Sequence, residues 1–127
     1  MDMEQKKSIL VAVRKYLEEK GYSHFKAFLK GMDNPGDVVE NQTGEIYTPD
    51  LTARHKGTFH IYKIETGENI ETNREKFIRK CKSLQQYANS KKGQLHLIVP
   101  ILQFDKVLTE INKNNLENVG ILQIDSL

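Results

Sequence analysis

The residues of this chain whose types and spacing could do chemistry are an aspartate behind a proline and a charged pair at the end of one short apolar run. Residues 48–53 read Thr-Pro-Asp-Leu-Thr-Ala, and a Lys56-Gly57 turn leads into Phe59-His60-Ile61-Tyr62-Lys63-Ile64-Glu65. In an extended strand side chains alternate, so Lys63 and Glu65 project from one face. Asp50, on the preceding segment, can stand beside them. An exposed cross-strand pair of opposite charge is worth under about 1 kcal/mol. On an otherwise apolar face the same groups mark a site.

Other reactive types are less promising. His24, His55, His60 and His96 show no ligand spacing, and alternation puts His60 on the face opposite Lys63. Cys81, the single cysteine, falls on a buried helical stripe and reads as an inert core thiol. Residues 71–92 carry Arg74, Lys76, Arg79, Lys80, Lys82, Lys91 and Lys92 against Glu71 and Glu75. Such a basic helix suits a phosphate backbone, or is simply a solvated face. No aromatic residues interleave these charges, so base stacking has little support.

The elements that must position these groups follow from periodicity. Residues 4–20 form an amphipathic helix with Ile9, Leu10, Val13, Tyr16 and Leu17 inward, closed by Gly21. Tyr22 to Leu29 alternates as a strand. Residues 31–44 hold two clusters of turn formers around Val38-Val39 and form a loop or loose hairpin. Residues 45–54 make a strand broken at Pro49, and Thr58 to Glu65 is the clearest strand. A helix capped by Thr72 or Asn73 runs to about Ser90, burying Phe77, Ile78, Cys81, Leu84, Gln85 and Ala88. Gln94–Val99 is a strand buried on both faces, residues 102–115 are a third helix, and residues 118–124 a last strand. Hairpin-linked strands followed by helix crossovers imply an α/β domain with a mixed sheet of about five strands flanked by helices.

With 127 residues there is room for one domain, spanning 1–127. Hydrophobic residues are 38% and charged residues 28%, far from a disordered composition. The net charge of +2 names no partner. No Cys/His cluster has zinc spacing, and no apolar stretch is long enough for a signal peptide or a membrane span. A cytoplasmic setting, with no membrane partner, is the expectation.

Pro49-Asp50, the strand that follows it and this order of elements together resemble the PD-(D/E)XK nuclease superfamily, the restriction-endonuclease-like fold. The resemblance covers almost the whole chain. It implies a hydrolase in which two carboxylates hold magnesium or manganese against a scissile phosphodiester of DNA or RNA. A lysine on the same strand face would orient the nucleophile or neutralise developing charge. Mapped onto this chain, Asp50 and Glu65 become the metal ligands and Lys63 the assisting cation. Arg74, Lys76, Arg79, Lys80 and Lys82 become the nucleic-acid contacts.

The motif departs from the family in two ways. The family's strand ends in acid-x-lysine; here it ends in lysine-x-acid, which moves the second acid roughly 6–7 Å along the strand. Many members also supply a glutamate from the middle of the first helix, where this chain has an apolar stretch around Leu10. Two functions are therefore expected to compete. One is a metal-dependent nuclease. The other is a catalytically silent member of the fold that binds nucleic acid or a protein partner, a second copy of the chain included.

Overall fold

A computed structural model describes residues 1–125, with every side chain except that of Asn69. The first helix, α1 (Met3–Glu19), begins in a capping box: Asp2 accepts from the Gln5 backbone, and the Gln5 side chain accepts from the Asp2 N–H. Its far end closes where Tyr22 N–H reaches Leu17 O and Gly21 N–H reaches Glu18 O, with Gly21 at φ 94°. Only that left-handed step lets both amides turn back onto the last carbonyls.

Strands β1 (Ser23–Ala27), β4 (Leu51–His55), β5 (Thr58–Ile64), β6 (Gln94–Pro100) and β7 (Val119–Ile124) form one sheet in the order β1-β4-β5-β6-β7. The β1/β4 and β4/β5 pairs are antiparallel, and β5/β6 and β6/β7 are parallel. This is the mixed five-strand sheet the element order implies. A second, two-stranded sheet pairs β2 (Val38–Val39) with β3 (Ile46–Tyr47). The 31–44 segment is thus loop apart from Val38-Val39, which pairs with β3 in a short hairpin. Its hairpin lays Val38 and Tyr47 into the core beside the third helix, α3 (Arg74–Ser90).

Four local expectations are corrected. Regular alternation over Tyr22–Leu29 fails because His24 takes φ 56° and the β1/β4 register shifts between Ser23 and Lys26. The strand expected over 45–54 is two strands in different sheets, parted by Pro49, which has no N–H to donate to a ladder. An extra short helix, α2 (Glu68–Thr72), precedes α3, and Asn73 caps α3 by accepting from the Lys76 N–H. The stripe that α3 buries also holds Lys80 and Ser83, whereas Ile78 and Gln85 are only half-buried.

The sheet divides two cores. Ile9, Leu10, Val13 and Leu17 of α1 pack on Leu51, Ala53, Tyr62, Ile64 and Ile98. Phe77, Cys81, Leu84 and Ala88 of α3, with Val107 and Ile111 of α4 (Phe104–Lys113), pack on Ile61, Leu95, Leu97 and Val99. Cys81 is fully buried, and burial pushes its thiol up to about 12. Among the described residues, no helix is long and apolar enough to cross a membrane.

Candidate functional site

The Lys56-Gly57 turn sets the geometry of the site. Both residues have positive φ (51° and 82°), and His55 pairs directly with Thr58. That is a two-residue primed turn, whose twist matches the strands it joins. From it the ladder runs unbroken to Leu51 opposite Tyr62. One step beyond the ladder, Asp50 stands beside Lys63.

Asp50 is 4% exposed and does three things at once. Its backbone N–H donates to Tyr62 O at 2.9 Å. Its Oδ2 accepts from the Ile64 N–H at 2.7 Å, extending the ladder with a side chain. Its Oδ1 lies 3.6 Å from Lys63 Nζ and 3.8 Å from Lys6 Nζ. Lys63 Nζ also donates to the Thr48 carbonyl at 2.8 Å. Burial holds the Lys63 ammonium below its ordinary pKa; Asp50 opposes that shift, while Lys6 and Lys80 add to it.

Glu65 is 1% exposed, deeper than Asp50. Its Oε1 accepts from the Gly67 N–H at 3.1 Å and its Oε2 from Lys80 Nζ at 2.7 Å. Lys80 reaches it from the buried side of α3. The structure therefore brings Asp50, Lys63, Glu65 and Lys80 to one end of the sheet. Sequence reasoning placed Lys80 with the solvent-facing cations and overlooked Lys6. Helical spacing offered a signal for Lys80, since it lies three residues from both Phe77 and Ser83, but its charge argued against burial.

These residues do not suit a divalent cation. Each carboxylate already faces an ammonium and a backbone N–H. The first helix contributes Lys6, a like charge to the cation, where a glutamate was wanted. Among the described residues, no group of three or more His, Cys, Asp or Glu side chains is arranged around a common point for a metal.

Three of the seven cations on the basic helix are paired as well. Arg74 pairs with the buried Glu110 at 3.2 Å, Arg79 with Glu45 at 3.3 Å, and Lys80 with Glu65. Lys76 and Lys82 are exposed and have no ion pair among the described residues. A hollow of about 520 Å³ lies between α3 and the β2–β3 hairpin, walled by Tyr47, Asn73, Lys76, Arg79 and Lys80, with Glu45 at its rim.

On the α1 face a second polar group is built of histidines. His60 Nδ1 and His96 Nε2 lie 2.9 Å apart, Tyr62 stacks on His96, and Tyr22 stacks on His55. Burial, then His60, holds His96 down to about 4, and burial, then His55, lowers His60. His60 does lie across the sheet from Lys63, as alternation requires.

The titration of this pair has a consequence for stability. In the unfolded chain His96 takes up a proton near 6.5, but in the fold only near 4, so between those values the unfolded state binds more protons. Stability is then fully present above about pH 6.5, falls as pH drops through that window, and levels off near 4. The loss expected from His96 is about 3 kcal/mol. Urea unfolding at pH 7.5 and pH 4.5 measures it, and His96→Gln should flatten the difference.

No protein-family model matches this chain, and no curated protein matches it. Among solved structures, an XisH family protein from Nostoc punctiforme superposes with a TM-score of 0.53 at 16% identity. The match covers 86% of this chain and 84% of that one. At that identity the likeness concerns the fold alone. The mixed five-strand sheet with flanking helices is consistent with a restriction-endonuclease-like fold.

Proposed function

We propose that this chain is a catalytically silent domain of nuclease-like fold that binds the phosphate backbone of nucleic acid. The observation carrying the first half is that both candidate metal-ligand acids are buried against lysines: Asp50 against Lys63 and Glu65 against Lys80. A hard cation inserted there would meet ammonium groups at close range, and like charges in a low-dielectric site repel strongly. The support for the second half is the flank of α3. Lys76, Arg79 and Lys82 are exposed along about 9 Å of helix, the first two lining the hollow that the hairpin forms.

Binding through those three cations is weak and salt-sensitive. For duplex DNA, a plot of log affinity against log salt should have a slope of about −3. Lys76→Glu with Lys82→Glu should abolish it without unfolding the domain, because both side chains are in solvent. Glu45 competes with phosphate for Arg79, so Glu45→Gln should tighten binding. Affinity that ignores both substitutions would point to a protein partner instead.

The silent half is tested separately. Titration calorimetry with magnesium or manganese should give no heat at millimolar ion. Binding heat that disappears in Asp50→Ala, accompanied by strand cleavage, would restore the nuclease reading with Asp50 and Glu65 as ligands and Lys63 as the assisting cation.

A further inference from the structure

We propose that the groove between α1 and the free edge of β7 receives an extended segment of a partner protein, apolar along its length and basic at one end, which joins the sheet as a sixth strand beside β7.

The edge is the first observation. β7 comes last in the sheet order, so one side of its backbone has no strand beside it. Such edges are usually blunted by charge, proline or a bulge, because open N–H and C=O groups invite pairing. The opposite edge, β1, is guarded in that way. His24 sits at φ 56°, the register shifts between Ser23 and Lys26, and Lys26 adds a charge. β7 has no such guard. It reads Val-Gly-Ile-Leu-Gln-Ile, with neither charge nor proline, and its register with β6 is unbroken from Val119 to Ile124.

The groove is the second. It holds about 770 Å³ on the α1 face, across the sheet from α3 and its cations. Ile9 and Val13 of α1, with Leu122 and Ile124 of β7, form its apolar wall. Asp2 and Glu4 at the start of α1 and Asp125 after β7 make one end acidic. Among the described residues no lysine, arginine or histidine lines it.

Charge selects the occupant. A strand laid along β7 turns alternate side chains toward Leu122 and Ile124, and a lysine or arginine at its end meets the three acids. A second copy of this chain is the poorer fit. Its β7 brings no cation and is flanked by Glu117 and Asp125, so self-pairing in either direction sets acid near acid.

The test uses the full chain and a capped peptide, Lys-Lys-Val-Thr-Ile-Thr-Val-Lys-Lys, with glutamates replacing the lysines in its control. The basic peptide should bind at about millimolar concentration or below, slow amide exchange along β7 and leave α3 unchanged. The acidic control should not bind. Glu4→Lys with Asp125→Lys, both exposed, should weaken the basic peptide at least about tenfold and admit the acidic one. Of two basic peptides N-methylated on alternate amides, one should bind and the other should not, since an added strand pairs through every second residue. Equal binding of the acidic and basic peptides, or no binding of either, overturns the inference. So does sedimentation showing a dimer whose formation alone protects β7, which would give the edge to a second copy. None of these outcomes touches the nucleic-acid reading, whose cations lie on the other face of the sheet.

Discussion

Lys80→Met is expected to lower the unfolding free energy by about 3–5 kcal/mol, while Lys80→Met with Glu65→Gln should recover most of that loss. Glu65 is 1% exposed and Lys80 8%, so neither can turn to water when its partner goes. The single change strands a buried carboxylate whose Oε1 keeps a backbone N–H at 3.1 Å but whose Oε2 loses the Lys80 ammonium at 2.7 Å. Removing both charges leaves shapes of similar volume and no orphan ion, which is why such replacements are often close to neutral. Urea unfolding of the wild type, both single variants and the double variant closes the cycle. A Lys80→Met protein as stable as wild type would show that the pair is exposed in solution, against its burial beside α3.

The second large effect is expected at Gly93, where alanine should cost about 3 kcal/mol or more. A Cβ there would stand 2.1 Å from the Phe59 carbonyl oxygen and 3.0 Å from its carbon. Both belong to the backbone of β5, so no rotamer change relieves the clash. Gly93 also donates to Ala88 O at 2.7 Å, closing the end of α3, so it cannot retreat without undoing that cap. The start of β6 must therefore move off β5, the strand that carries Lys63. Gly36→Ala is the control. Nothing lies within 4 Å of the added carbon, and its stability should stay within about 0.5 kcal/mol of wild type. Equal melting temperatures for the two variants would contradict the close approach of β5 and β6.

The two substitutions probe different layers of the same construction. Gly93 sets how near β6 comes to β5. Lys80 sets what the end of β5 can hold.

Much of that construction was legible in one dimension. The Lys56-Gly57 turn sets the hairpin register, since both residues adopt the positive φ that a two-residue turn needs. Counting back along the hairpin from Leu51 opposite Tyr62 brings Asp50 beside Lys63, and the period of two predicts Glu65 on the same face. Strand number, the antiparallel-then-parallel order and the helix ends at Gly21 and Gly93 likewise follow from local pattern. Local rules are enough here because hydrogen bonding and side-chain alternation act between near neighbours.

What periodicity could not supply was the charge balance. Lys80 lies 15 residues from Glu65, and Lys6 is 44 positions before Asp50. Their meeting depends on how α3 and α1 are rotated and slid against the sheet. Side-chain packing of Phe77, Cys81 and Leu84 on one side, and of Ile9, Leu10 and Val13 on the other, sets those angles. Read along the chain, Arg74, Lys76, Arg79, Lys80 and Lys82 are one basic run. In the fold, Arg74, Arg79 and Lys80 pair with Glu110, Glu45 and Glu65, and of this run Lys76 and Lys82 have no ion pair among the described residues. Sequence alone determined which groups line the end of the central strand. The tertiary structure decided that lysines face both acids there, because the free energy of a buried charge depends on what stands within a few ångströms of it.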